Sequence, residues 1–477
     1  MISPRRENFF GGVDPIAVII YLMIVLIGCV CITSASFDET SPDIFAFSHF
    51  YIKQIIWMGV AFLAAIFVLL MDASFFHRYA YILYGIGIML LLATLVFGRE
   101  VNGAKAWFEF GSFRVQPVEI VKIATGLAVA RVMSEYSFSI NKFSDLAKVG
   151  TVLLVPLGII VMQNDTGSGI VFGSFLFVFY REGLNKWLCI PVLLVAMLFI
   201  ISFILSPVFL LIVSIVACTI CDALLAGEWA LRVRYLAAIA LATLSIYFVG
   251  NFIFDHSVSL YSALLTSAII SVIFVCAYAV RKKIQSTLMV VGFFLFTAMF
   301  LPTTNYIFNN IIRDHQRDRL LTYLGLVSDP LGIDYNVNQA KIAIGSGGLW
   351  GKGFLQGTQI KYGFVPERHT DFIFCDLAEE WGFIGALALL GCFATLILRL
   401  MRMGERQPET FGRVYCYCVA SILLFHTLVN VGMTVGLMPV MGIPLPLVSY
   451  GGSSLIAFTV LIFVAIRLDA AASRNMF

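Results

Sequence analysis

Hydrophobic residues fall into a succession of long runs, separated by short charged turns and by one long polar interval from about Asn305 to Cys375. A helix needs about 20 mainly apolar residues to cross the hydrocarbon core, and in lipid only helices and closed barrels satisfy every backbone amide. Period-two alternation of apolar and polar positions is absent, so the runs predict helices. They place spans near 16–36, 51–71, 79–97, 117–134, 148–163, 167–181, 187–204, 207–226, 232–254, 258–280, 286–303, 377–400, 414–437 and 447–467, about fourteen in all. The fold class expected is an all-α polytopic membrane protein with a large loop between its eleventh and twelfth spans.

Composition agrees with that class. The chain is 60% hydrophobic and 12% charged, against about 25% charged residues in soluble domains. A formal charge of +3 with no basic stripe argues against nucleic acid as a partner. Charge instead reports topology. Taking the N-terminus as cytoplasmic, one set of turns carries Arg78, Lys142, Arg181, Arg232, Arg234, Arg281, Lys282, Arg402 and Arg413, while the opposite turns near 38–50, 205 and 438–446 have no Lys or Arg. The positive-inside rule then puts both termini in the cytoplasm and the long loop outside. Arg5 and Arg6 precede the first apolar run without a small-residue cleavage pattern, so that run is expected to stay as an anchor. Most of the ten cysteines lie in apolar segments, Cys218 and Cys221 forming a CxxC on one helical turn, and no disulfide framework is implied.

Ionisable groups at membrane depth are costly and usually face a cavity or a partner. Glu119 and Lys122 stand i, i+3 after Pro117, able to pair with each other as a structural bridge or to line a polar cavity for an anionic head group. Trp107 lies in an interfacial segment, and the regions around Trp107, Gln163-Asn164-Asp165 and the long loop all fall on the outward side, where they can converge. In the loop, Arg317 and Arg319 flank Asp318, a pattern that suits phosphate oxygens or a solvated salt-bridge face. Gly345-Ser346-Gly347-Gly348 and Gly351-Lys352-Gly353 lack the spacing of a phosphate-binding loop. His369 and Asp371 read equally well as catalytic groups or as cap and packing residues. Gly442 to Ser454, including Ser449, breaks the helical pattern beside His426 and Asn430, and such backbone survives in a membrane only when it is covered by protein or lines a wet cavity. No His, Asp or Glu cluster has metal-ligand spacing.

Seven strings in order are recognisable: Gln116-Pro117-x-Glu119-x-x-Lys122, Gln163-x-Asp165-x-Gly167, Gln316-Arg317-Asp318-Arg319, Ser328-Asp329-Pro330-Leu331-Gly332, Ile344 to Gly353, Pro366-Glu367-Arg368-His369-Thr370-Asp371-Phe372, and Pro444-Leu445-Pro446 through Ser454. Together they resemble the SEDS family (shape, elongation, division and sporulation), and the series covers about three quarters of the chain. The Asp-Pro-Leu-Gly and Pro-Glu-Arg-His-Thr-Asp strings look more like the rod-shape branch than the division branch.

The resemblance implies a peptidoglycan glycosyltransferase that polymerises lipid II into a nascent glycan strand on the outer face of the bacterial cytoplasmic membrane. It implies as partners a class B penicillin-binding protein transpeptidase and the elongation machinery. Asp329 falls where the family has its essential loop acid and is expected to deprotonate or orient the acceptor 4-hydroxyl. Arg317, Arg319 and Lys122 are candidates for the leaving diphosphate, with Trp107, Glu119, Asp165, Lys352, His369, Asp371 and Ser449 as further substrate-binding candidates. No cofactor is certain, although a divalent cation could assist at the diphosphate.

Two departures stand out. Gln163-Asn164-Asp165 replaces the family's Gln-Pro-Asp, and about five apolar runs from Trp187 to Leu301 suggest four helices inserted into a ten-helix core. The expected organisation is therefore a membrane core over 1–186, helices with the inserted block over 187–303, the loop over 304–376 and a second membrane core over 377–477. A lipid II flippase, a division-type paralogue with the same chemistry and a non-catalytic scaffold for a transpeptidase are the competing readings.

Overall fold

The computed structural model describes residues 12–37, 50–101, 103–110, 113–185, 198, 201–202, 205–226, 229–253, 258–310, 314–324, 326 and 333–475. Among them, eleven helices are long and apolar enough to cross a membrane. Three expected spans are not in that set. The first, α4 below, is a 17-residue helix; the second, 167–181, is broken; the third, 187–204, lies mostly outside the described residues.

The chain divides into two compact units, Met1–Cys189 with Asp329–Phe477, and Ile190–Ser328. In the first unit α1 (Pro15–Ser36), α2 (Phe50–Leu70), α3 (Ala73–Phe97), α4 (Pro117–Met133) and α5 (Phe143–Met162) come in order. The start of α1 is set locally. Pro15 occupies the first helical position, and Asp14 Oδ1 accepts from the amides of Ile16 and Ala17, both at 3.1 Å. After α5, the segment expected as one span is α6 (Thr166–Val171), a 3₁₀ turn at Phe172–Ser174 and α7 (Phe175–Arg181).

The expectation of helices alone needs one correction. Between α3 and α4 the chain forms an antiparallel sheet of β1 (Arg99–Val101), β2 (Ala104–Phe110) and β3 (Phe113–Val115), with Arg99 opposite Trp107 and Phe108 opposite Val115. Lys105 to Phe110 places aromatic residues in succession, a composition that fits a pleated surface, and at seven residues β2 is too short to stand out against the long apolar runs.

Among its described residues the second unit has four long helices, α8 (Pro207–Ala226), α9 (Trp229–Ile253), α10 (Leu260–Lys282) and α11 (Gln285–Asn310). Leu211, Ile215, Leu264, Ala268, Phe294 and Ala298 form a core of its own. A short α12 (Asp314–Tyr323) follows. Residues 305–310, expected as loop, therefore continue α11.

The first unit resumes with α13 (Ile333–Ser346), the short α14 (Thr358–Lys361), α15 (Ile373–Arg406), α16 (Thr410–Thr434) and α17 (Gly452–Asn475). Its centre is α16 and α17, each 78% buried over its apolar window, whereas α3 and α5 are 22% buried and turn most of their surface outward. Nearly every side chain of α4 is buried against α3, α16 and α17. That enclosure explains why a helix carrying Glu119, Lys122 and Arg131 belongs inside the bundle.

At 34 residues α15 is about 50 Å long at 1.5 Å per residue, well beyond a hydrocarbon core of about 30 Å. It breaks at Gly382, whose φ of 65° and ψ of −164° separate a buried half-helix from the crossing half. A Cβ on Gly382 would lie 2.3 Å from the Gly351 nitrogen. Gly382→Ala should therefore destabilise the chain by about 2 kcal/mol or more through backbone strain and overlap, while Gly391→Ala, with open space around it, should be neutral or stabilising. Thermal unfolding of the two purified variants checks this.

Candidate functional site

Polar groups of the first unit gather at one end of its bundle, where α3 and α5 end and α4, α6 and α17 begin. Gln116 Nε2 donates to Asp165 Oδ2 at 2.8 Å, and Asp165 also accepts from the Ser168 hydroxyl at 2.8 Å and the Ser168 amide at 3.1 Å. Asp165 is thus the N-cap of α6. The Lys105 amide donates to the Gln163 carbonyl at 2.9 Å, so the sheet and the 163–168 turn do meet. Asn164 adopts φ 60°, a left-handed conformation that asparagine tolerates and that the proline ring, fixed near φ −65°, excludes. Asparagine here is more than a looser proline: it changes the turn.

Two irregular segments close this end. A Cβ on Gly167 would sit 2.2 Å from the Met441 carbonyl oxygen, so α6 lies directly on the chain leading to α17. Asn430 Nδ2 donates both to the Asp371 carbonyl at 2.9 Å and to the Ile443 carbonyl at 2.8 Å. Ser449 Oγ donates to the Thr370 carbonyl at 2.6 Å and accepts from the Leu445 amide at 2.8 Å, and the Tyr450 amide donates to the His369 carbonyl at 2.8 Å. The 366–372 and 442–451 segments are thereby laced together. His369 stacks on Phe50 with ring centroids 4.4 Å apart and meets Tyr450 edge-on. Burial pushes its imidazole below the usual histidine range.

Beneath this lacing a polar trio, an ion pair with a histidine beside it, enters the bundle. Lys122 Nζ lies 2.8 Å from Glu119 Oε1 and 2.9 Å from His426 Nε2, and His426 Nδ1 reaches the Pro444 carbonyl at 3.3 Å. With Nδ1 donating to the carbonyl, Nε2 carries the lone pair that accepts from the ammonium, so the network needs a neutral imidazole. Lys122 also lies 5.1 Å from the Phe458 ring centroid. All three side chains are buried, and the polar groups of Lys122 face protein partners.

Directly after the laced 366–372 segment, the half-helix of α15 organises the glycine-rich stretch. Glu379 Oε1 accepts from Lys352 Nζ at 2.6 Å and the Gln359 amide at 3.0 Å, and Oε2 from the Ile360 amide at 3.1 Å. Lys352 also donates to Thr358 Oγ1 at 2.7 Å. Glu380 Oε1 accepts from the Leu355 amide at 2.9 Å and from Ser34 on α1. Asp376, about a turn earlier on the same half-helix, is fully buried. These acids were not among the candidates, although three carboxylates within Asp376 to Glu380 interrupt an apolar run and were visible there.

Among the remaining candidates, Trp107 is partly buried on β2. Its sheet neighbour Glu109 is bound by Arg99 and Arg114, whose hydrogen bonds hold the carboxyl below its ordinary range. Arg317 and Arg319 lie on α12 of the second unit, partly buried. Asp329 lies outside the described residues. Among the described residues no three His, Cys, Asp or Glu side chains come together to hold a metal ion.

A family model described as "Cell cycle protein", FtsW/RodA/SpoVE, matches residues 15–216 and 237–474. The chain belongs to this family. Among FtsW/RodA/SpoVE members, peptidoglycan glycosyltransferase RodA of Treponema pallidum (strain Nichols) is 32% identical over 446 residues, 93% of this chain and 94% of that protein. Peptidoglycan glycosyltransferase MrdB of Escherichia coli (strain K12) is 31% identical over 458 residues, 95% and 93% of the two chains. The fold matches a chain in a structure described as the structural coordination of polymerization and crosslinking by a peptidoglycan synthase complex, at TM-score 0.61, 24% identity and 96% and 98% coverage. It also matches the rod shape determining protein RodA of Thermus thermophilus at TM-score 0.54, 22% identity and 98% and 99% coverage.

Two outcomes follow from the site. Glu379→Ala leaves buried amides without an acceptor and should cost about 3 kcal/mol or more; Lys352→Ala should cost less, because the amides stay on the carboxylate. Chemical denaturation in mild detergent reads both. Because the folded protein disfavours protonated His369, the stability it contributes is complete above the ordinary histidine pKa of about 6.5. It is lost as pH falls through the lowered folded value. His369→Phe, which keeps the stack without the titration, should flatten the fall in melting temperature between about pH 7 and pH 5.

Proposed function

We infer that this chain is a peptidoglycan glycosyltransferase of the rod-shape branch, polymerising lipid II into glycan strands during cell elongation. The observation that carries this reading is the match to two curated peptidoglycan glycosyltransferases, at 32% and 31% identity over more than nine tenths of each chain.

The apolar runs support about fourteen spans, read as a ten-helix core with four inserted, in the bacterial cytoplasmic membrane. The end of the first unit opposite the laced segments carries the basic groups: Arg399 and Arg406 beside Asp14, Arg406 on Asp469, and Arg413 on Glu182. The positive-inside rule makes that end cytoplasmic, with both termini, and turns the laced end and the long loop outward.

In the proposed reaction, Asp329 takes the proton of the acceptor sugar's 4-hydroxyl. The oxygen attacks the donor's anomeric carbon, the bond from that carbon to the diphosphate breaks, and configuration inverts. The departing negative charge is met by Arg317 and Arg319, whose forked donors match phosphate oxygens. Lys122 reaches the diphosphate only if its bonds to Glu119 and His426 rearrange. Trp107, Asp165, Lys352, His369, Asp371 and Ser449 mark the walls, either directly or by fixing the two laced segments. The proposed partner is a class B penicillin-binding protein, a pairing supported by the description of the matched synthase complex.

Purified Asp329→Ala with lipid II should form glycan polymer at least about 100-fold more slowly than the unmodified chain, the usual contribution of a general base. Polymer at a normal rate would remove Asp329 from the mechanism, and lipid II transport without polymer from the unmodified chain would establish the flippase reading. Parallel reactions with a chelator test for a divalent cation at the diphosphate.

A further inference from the structure

The break in α15 frees backbone groups, and the glycine-rich stretch takes them up. In an unbroken helix the amides of Phe383 and Ile384 would donate to the carbonyls of Glu379 and Glu380, four positions back. Beyond the break at Gly382 they donate instead to the carbonyls of Gly348 at 2.9 Å and Leu349 at 3.2 Å. The Glu379 and Glu380 carbonyls in turn accept from the amides of Lys352 at 3.1 Å and Gly353 at 2.9 Å. Gly351 lets the two backbones meet, since a Cβ there would lie 2.1 Å from the Glu380 carbonyl oxygen. Residues 348–353 therefore form a ledge fixed at the height of the break.

That height falls within the bilayer. From Phe383 the crossing half of α15 runs without a charge as far as Arg399, which pairs with Asp14 at 3.6 Å. At 1.5 Å per residue the rise to Arg399 is about 24 Å, and even Arg402 is only about 29 Å away, against a hydrocarbon core about 30 Å thick. Gly382 and the ledge thus lie at the edge of the hydrocarbon or just inside it. The ledge turns apolar side chains outward, Leu349 being 62% and Trp350 80% exposed, beside the exposed Phe383 and Ile384 to which it is bonded. We propose that Leu349 and Trp350 insert among the lipids of one leaflet, which makes this part of the long polar interval a membrane-embedded ledge. Lipid is the occupant because the ledge is hydrogen-bonded directly onto the exposed end of a spanning helix. Backbone outside a helix survives at such depth only when its polar groups are satisfied within the protein, as the four bonds to α15 do here. Tryptophan suits the position, with its ring in hydrocarbon and its indole N–H at the head groups. The placement holds whatever reaction the chain carries out.

Tryptophan fluorescence of the purified full chain in phosphatidylcholine vesicles tests this, the Trp350 signal being the difference between the unmodified chain and Trp350→Phe. Bromine near the head-group end of the acyl chains should quench that signal at least about twofold more than bromine near the methyl end, and more than acrylamide supplied on both sides of the membrane. In the unmodified chain, a phosphatidylcholine carrying a diazirine near the head-group end of one acyl chain should cross-link to the peptide bearing Leu349 and Trp350. Quenching by acrylamide without quenching by bromine puts the ledge in water and overturns the proposal. Resistance to both quenchers overturns it as well, because protein then covers Trp350. The cross-link needs no variant, and its absence from a peptide that mass spectrometry detects counts against the ledge even if Trp350→Phe does not fold.

Discussion

Asn430 holds two stretches of irregular backbone that have no helix or sheet to satisfy them. Its amide donates to carbonyls at Asp371 and Ile443, one in each segment. A carbonyl left bare in an apolar interior costs several times what a formed hydrogen bond returns, so these contacts permit the chain to leave helical geometry there. Ser449 and the Tyr450 amide repeat the device at Thr370 and His369. The rest of the polar end is arranged around this fastening, including the N-cap at Asp165 and the close approach of Gly167 to Met441.

The same constraint governs charge. Glu119, Lys122 and His426 are buried among apolar helices, yet each polar group has a partner. Such a trio adds little net stability compared with a well-packed apolar core, but removing one member leaves a buried charge or dipole alone. It therefore fixes the relative placement of α4 and α16 more than it strengthens the fold. Glu379 acts likewise on the glycine-rich stretch, gathering backbone amides and Lys352 around one carboxylate.

The two units meet the lipid requirement differently. In the first, α16 and α17 are enclosed and surrounded by helices with outward apolar faces. Among the described residues of the second, α8 to α11 share a smaller core and a buried ion pair, and α9 is only 6% buried over its apolar window. A helix so exposed in an apolar chain depends on lipid or a partner to cover it.

Run length and charge spacing in the amino-acid sequence determined that the chain is helical and polytopic, because a helix in lipid must be long and apolar whatever its neighbours are. The family strings were equally legible, and they named most groups of the polar end. Local reading failed where helices break: the 167–181 run is three pieces, Gly382 interrupts α15, and β1 to β3 are too short to leave a pattern. Only the tertiary structure decided that Lys122, beyond its i, i+3 neighbour Glu119, meets His426 and that Lys352 is gathered by Glu379. Partners 304 and 27 positions apart are brought together by packing, which no periodicity along the chain encodes.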